Sequence, residues 1–304
     1  MVRHPHAAAY WALAAVCLFW GTTYLGIRIA LESFPPFLLV SLRFISSGAL
    51  LLLGARLLGY EMPRGREWLW SALHGCLTVG VGTGGLVLAE THIASALAAL
   101  FVAVGPFWNV GIETLMPRGE KLHGPAIAGM LVGLAGVLIL VVPDVLNKGF
   151  RGPIWLGFAI LQVSCCGWAL GSSMMRHHQT RAHPVVAGGV QQLGAGLAFA
   201  VPAWVDSTVR GTAAHWDTQG ILAVAYLVVF GSIVGYSAYV YSLSHLPVAL
   251  VSIYNYVNPM VAALLGWLVY REPFGRRELT AMIVILVGVA IVKQVTPRRE
   301  RPVT

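Results

Sequence analysis

The sequence predicts an all-α polytopic membrane protein with ten transmembrane helices arranged as two inverted five-helix repeats. Three observations predict it. The charge is too sparse for a water-facing surface, ten apolar runs have membrane-crossing length, and a set of residues recurs in the two halves at nearly constant offsets.

Only 11% of the 304 residues are charged, 57% are hydrophobic, and the mean hydropathy is +0.74. A soluble domain carries roughly 25% charged residues. The surplus of apolar side chains therefore has to face lipid. The net charge of +8 resides mostly in short connectors beside the apolar runs, where orientation in a bilayer requires it, so it does not point to nucleic acid. Cys17, Cys76, Cys165 and Cys166 lie inside apolar runs with no metal or disulfide spacing, and they read as small packing residues. No metal and no cofactor is expected.

Runs of about 20 apolar residues suit a spanning helix. They fall at 8–30, 36–59, 68–89, 94–115, 125–142, 153–175, 184–204, 219–242, 247–269 and 279–295. The first reads as a helix and not a removable leader, because no small-residue cleavage pattern follows it. Thr91-His92-Ile93 and Ser244-His245-Leu246 are turns tight enough to force antiparallel hairpins. Membrane β-barrels are excluded, since their strands alternate in polarity over about 10 residues. Trp11, Trp68, Trp70 and Trp155 lie near the starts of runs and look like interface anchors.

Lys and Arg in the connectors set the orientation. With the N-terminus inside, twelve fall on the cytoplasmic side and six on the other, and the excess lies in the first half. Both termini are therefore expected in the cytoplasm of a bacterial cell, with the chain in its inner membrane.

Trp20, Arg28 and Pro36 recur as Trp168, Arg176 and Pro184, each offset by 148. Gly82, His92 and Pro106 recur as Gly235, His245 and Pro259, offset by 153, and Gly136 recurs as Gly288. This divides the chain into a first unit, 1–147, a second unit, 148–296, and a basic cytoplasmic tail, 297–304. Five spans reverse polarity, so the second unit should be inverted. Inverted units around a midplane site suit alternating access.

These residues resemble the EamA family of the drug/metabolite transporter superfamily over nearly the whole chain. The resemblance rests on Phe19-Trp20-Gly21-Thr22-Thr23-Tyr24, Pro35-Pro36 with Arg43, and Ala94-Ser95-Ala96-Leu97 with Pro106. It continues in Tyr254-Asn255-Tyr256-Val257-Asn258-Pro259, Gly266 and Arg271-Glu272-Pro273. It implies export or exchange of small solutes, often amino acids, and it leaves the substrate open. A small-molecule substrate and the lipid bilayer are the expected partners. A monomer is the expected state, with a dimer as the alternative.

Candidate substrate-binding residues are Trp20, Tyr24, His74, Thr78, Trp108, Trp168, Tyr236, Tyr239, Tyr254, Asn255 and Asn258. Trp20 and Trp168 sit too deep for interface anchors, and aromatic side chains offer a large apolar face with one polar handle. His74, Thr78 and Gly82 share one helical face. The imidazole there either bonds a substrate, as a residue type that changes charge near neutral pH, or is satisfied by a helix carbonyl. Asn255 and Asn258 flank a turn just before Pro259, where a proline frees a carbonyl. Pro106 and Pro259 read as matched helix breaks or hinges, with Gly82 and Gly235 beside them. Arg43 is assigned a structural role. It contacts either a substrate carboxylate or helix-end carbonyls, or its stem snorkels, and the second half has Gln191 at its position.

No Asp or Glu lies near the middle of a predicted span. Proton coupling through a buried carboxyl is therefore not expected, and downhill transport is the simpler reading. The run Arg176-His177-His178-Gln179 reads as a solvated connector. No H-E-x-x-H, G-x-S-x-G or P-loop is present, which argues against an enzyme. A nucleotide-sugar exchanger would need more cations than Arg43, and a non-transporting scaffold or receptor is the alternative from another class. The predicted cavity draws on spans one, three, four, six, eight and nine, with five and ten peripheral.

Overall fold

The computed structural model describes residues 5–93, 98, 101–117, 119, 123–148, 154–177, 182–270 and 275–295. The helices are α1 (Pro5–Ser33), α2 (Pro36–Leu57), α3 (Arg66–Glu90), α4 (Gly105–Leu115) and α5 (Gly124–Lys148). They continue as α6 (Ile154–His177), α7 (Pro184–Val209), α8 (Thr218–His245), α9 (Tyr254–Tyr270) and α10 (Arg276–Val295). A single turn, Val248–Val251, precedes α9. Among the described residues, α1, α2, α3, α6, α7 and α8 are each long and apolar enough to cross a membrane. The segments Ala94-Ser95-Ala96-Leu97, Arg271-Glu272-Pro273 and 297–304, and the burial of Gly266, lie outside what is described.

Local chemistry sets the helix ends. Pro36 and Pro184 open α2 and α7 in the first turn, where a missing N–H costs nothing. After α2 the chain turns at Gly59, whose φ of +76° suits a residue without Cβ. Asp217 caps α8 by accepting the Gly220 N–H at 3.0 Å. Inside α3 and α8 the segments Cys76–Gly84 and Leu227–Val234 are wound as π-helix, a local widening common at functional sites.

The helix break expected at Pro106 is present two residues before the proline. Pro106 lies in the first turn of α4, and the break falls just before it, at Ala103–Val104. Proline tolerates a first turn because no earlier carbonyl needs its N–H. In the second half the chain breaks at Ser252–Ile253, and Pro259 lies inside α9. Helices α5 and α7 run past the predicted ends at 142 and 204, to Lys148 and Val209.

Lipid supplies no hydrophobic drive between helices, so close packing by small residues has to hold the bundle. On α2, a Cβ at Gly48 would stand 2.5 Å from the Leu193 backbone nitrogen on α7. Helices α5 and α10 pack chiefly on each other, through Gly136 against Ile285 and Gly288 against Gly133. This leaves spans five and ten peripheral, as expected. Helices α1 and α8 run antiparallel. Ser242 Oγ donates to Ala9 O at one end (3.3 Å), and Ser33 Oγ donates to Asp217 at the other (2.8 Å). Trp11 and Trp155 are 77% and 82% exposed, with Trp68 and Trp70 also exposed, as lipid-interface anchors should be.

Candidate functional site

Helices α1, α2, α3, α4, α6 and α9 line a central cavity of about 670 Å³, counted together with its opening to solvent. Trp20, Thr23, Tyr24 and Ile27 line it from α1, Arg43 from α2, and Gly82, Thr83 and Leu86 from α3. Val102, Gly105 and Asn109 form another wall, Ser164, Cys165 and Trp168 line it from α6, and Tyr254, Asn255 and Asn258 from α9. Both halves of the chain contribute.

Its aromatic wall is built by edge-to-face packing. Trp20 meets Trp168 with ring centroids 5.2 Å apart and an interplanar angle of 87°, and meets Tyr254 at 5.0 Å and 84°. Such pairs align a positive ring edge with a negative face. The polar handles are fixed as well. Trp20 Nε1 donates to Gly231 O (2.9 Å), Trp168 Nε1 to Tyr239 Oη (3.1 Å), and Tyr239 Oη to Ser172 Oγ (2.8 Å). With their N–H groups used, the two indoles present apolar faces. The Asn258 amide, oriented to satisfy its neighbours, donates to Tyr254 O (3.0 Å) and Cys17 O (3.1 Å), tying α9 to α1.

The glycines make this approach possible. A Cβ at Gly82 would stand 2.6 Å from the Trp168 ring, and one at Gly235 would stand 2.5 Å from Trp20 Nε1. The two glycines therefore seat the two tryptophans, a packing role and not a hinge in itself.

Trp20, Tyr24, Trp168, Tyr254, Asn255 and Asn258 thus meet in one cavity, while five other candidates lie outside its lining. His74 is buried on α3, and its carbonyl accepts the Thr78 hydroxyl at 2.8 Å. Thr78 in turn lies 3.2 Å from Tyr236 Oη, which donates to Gln191 Oε1 at 2.6 Å. This chain braces α3, α7 and α8 behind the cavity. Tyr239 supports Trp168 from behind, and Trp108 Nε1 donates to Gln162 Oε1 on α6 (3.0 Å). Among the described residues α8 contributes nothing to the lining, contrary to expectation; it is bonded along α1 at Ala9, Trp20 and Ser33, and its π segment also meets α2.

Thr23, Thr83, Asn109, Ser164 and Cys165 were not among the predicted residues. Small polar groups within apolar runs give the same signal as packing residues.

Below the aromatic wall lies a smaller cavity of about 250 Å³, lined by Asn109, Glu113, Ser172, Ser173, Tyr239, Leu243 and neighbours. Glu113, only 2% exposed, clamps the ends of α4 and α6 together. Its carboxylate accepts from Ser173 Oγ (2.6 Å), and His177 Nε2 (2.9 Å) and Arg176 Nη1 (3.9 Å) stand beside it. This corrects the solvated reading of Arg176 and His177. A cation near a buried carboxylate is drawn in with it. His178 and Gln179 lie outside the described residues. Among the described residues no cluster of His, Cys, Asp and Glu suits a metal ion.

A polytopic helical bundle around an aromatic, amide-lined cavity is an architecture that membrane transporters share. The chain belongs to the EamA-like transporter family, whose model matches residues 7–142 and 155–293. It is 34% identical over 284 residues to the uncharacterised inner membrane transporter YedA of Escherichia coli, covering 92% of this chain and 89% of that one. It is 24% identical to a probable terminal-alkyne amino-acid exporter of Streptantibioticus cattleyicolor, over 96% of both chains. A solved crystal structure with 21% identity shares the fold, with a TM-score of 0.77 over 96% of this chain and 99% of that one. The protein is a membrane transporter.

Proposed function

We propose that the protein carries amino acids, including apolar and aromatic ones, or closely related metabolites by alternating access in a bacterial inner membrane. The observation that carries this reading is the central cavity, where two indole faces adjoin a row of amide and hydroxyl groups. An amphipathic solute of amino-acid size matches both surfaces. The name of the Streptantibioticus relative supports the same class.

The mechanism follows from two antiparallel five-helix units, 1–147 and 148–296, with both termini cytoplasmic. Recurrence of Trp20 and Trp168 on facing walls supports this, as do the paired π segments in α3 and α8. On α1 the cavity lining runs from Trp20 to Ile27, toward the end where α1 finishes, and in this reading the Glu113 clamp closes the other end. Exchanging the two arrangements would move a bound solute across without opening both sides at once. A protein working as a monomer suffices. Arg43 is the one cation that lines the cavity among the described residues; it leaves a nucleotide diphosphate underneutralised, so nucleotide sugars rank below amino acids.

Counterflow of radiolabelled amino acids in proteoliposomes tests the reading. Uptake should be saturable and should fall on the order of tenfold in Trp168→Ala, the factor that ~1.4 kcal/mol makes. Absence of flux for every amino acid, with folded protein in the vesicles, would refute it.

A further inference from the structure

Arg43 brings a positive charge to the wall of the central cavity, and among the described residues no carboxylate pairs with it. It lies roughly two turns into α2 and is 4% exposed, so it does not reach the headgroups. Its Nε donates to Ser232 Oγ (2.7 Å), while Nη1 is buried without a hydrogen-bond partner among the described residues. None of the ion pairs among the described residues includes it. A guanidinium inside a membrane protein is among the costliest groups to leave in this condition.

The surroundings hold it in place. Gln192 pairs with Ser47 and donates to Ser232 O (3.1 Å), fixing the segment that carries the Arg43 partner. Gly231 makes the room, since a Cβ there would stand 2.6 Å from Nη2. The carbonyl of the same glycine accepts the Trp20 N–H, so the guanidinium and the indole wall meet at one residue.

We propose that Arg43 is the anion receptor of the cavity. It takes the carboxylate of a solute bearing one negative charge, whose apolar body lies on Trp20, Trp168 and Tyr254. This rests on the cavity being the solute site and narrows what enters it. A guanidinium presents N–H groups in a fork that matches a carboxylate. One unpaired cation balances one negative charge, and a solute with several would bring back the imbalance.

The test titrates purified full-length protein with phenylalanine, its methyl ester, phenethylamine, phenylpyruvate and inorganic phosphate, read by calorimetry and thermal shift. Wild-type protein should bind an acid on the order of tenfold more tightly than the ester or amine, the span of ~1.4 kcal/mol. Arg43→Gln should equalise acid and ester while leaving the ester's affinity unchanged, an outcome that lost folding does not produce. Arg43→Lys should keep part of the preference. If Arg43→Gln does not fold, the acid-to-ester ratios of wild type and Arg43→Lys decide. Phenylpyruvate binding that depends on Arg43, without phenylalanine binding, would uphold the receptor and overturn the amino-acid reading. Equal binding of acid and ester by wild type would overturn the receptor, even if amino acids are carried. So would an undiminished preference in Arg43→Gln, binding of phosphate alone, or no binding of any carboxylate.

Discussion

Asp217 is a small test of how much one side chain can hold at a membrane boundary. Ser33 donates to its carboxylate first and the Gly220 N–H second, and together they hold its pKa below the ordinary carboxylate value. A depressed folded-state pKa contributes stability above the unfolded value and loses it as pH falls through the folded one. Asp217→Ala should therefore lower the melting temperature at neutral pH, and the gap should close in acid below the carboxylate range. Thermal unfolding in detergent across that range checks it, and a gap that persists unchanged in strong acid would deny the ionic part. His74 gives a second residue-scale expectation. It is 1% exposed, away from the cavity lining, so His74→Ala should cost ~1–3 kcal/mol of stability. The KM for a carried solute should stay unchanged, as flux assays on the folded fraction can show. The sequence marked Trp20 and Trp168 because the repeat singled them out. It could not separate His74 from them, since depth along a helix is legible and the direction of a side chain toward a cavity is not. Glu113 was missed for a related reason, because its partners lie on another helix and only packing brings Ser173 and His177 to it.

At the scale of elements, α2 carries two glycines with opposite requirements. Gly48 is pressed against the α7 backbone at Leu193 and Gly189, whereas a Cβ at Gly54 meets nothing within 4 Å. Gly48→Ala should push the two helices apart at a cost of ~1–3 kcal/mol. Gly54→Ala should be neutral or stabilise by a few tenths to ~1 kcal/mol, since alanine favours the helix. Melting temperatures of the two variants, side by side, decide the matter, and an equal effect would show that the α2–α7 contact is not close. Helix existence was readable throughout because spanning length and hydropathy are one-dimensional properties. The break beside Pro106 was readable because proline disturbs a helix, but the proline does not say on which side of it the helix starts. The π segments gave no sequence signal beyond the glycines beside them, as their extra width comes from packing against neighbours.

For the whole molecule, the proposed alternating access makes the Glu113 cluster a contact expected to open when the protein faces the other side. It joins the ends of α4 and α6, and Glu113 and Ser173 line the smaller cavity together with Ala169, Leu243 and Val251. That end is the one where α1 begins, because Leu243 adjoins Ser242, whose hydroxyl reaches Ala9 O. Replacing Glu113 by glutamine keeps an acceptor for Ser173 and removes the charge facing His177 and Arg176. A hydrogen bond to a charged group contributes about 1.5–3 kcal/mol, and two conformers differing by a few kcal/mol respond to such a change by about tenfold or more. Glu113→Gln should therefore populate the conformer open at this end. The readout is an Ala169→Cys probe in a background lacking Cys17, Cys76, Cys165 and Cys166, labelled with a membrane-impermeant maleimide. Labelling from the side of the chain termini should rise with Glu113→Gln, and a saturating solute should shift it in both backgrounds. The side that gives access also reports the orientation expected from the Lys and Arg bias. If Glu113→Gln leaves labelling at the parental rate while transport is abolished, Glu113 acts on the solute and not on the closure of this end.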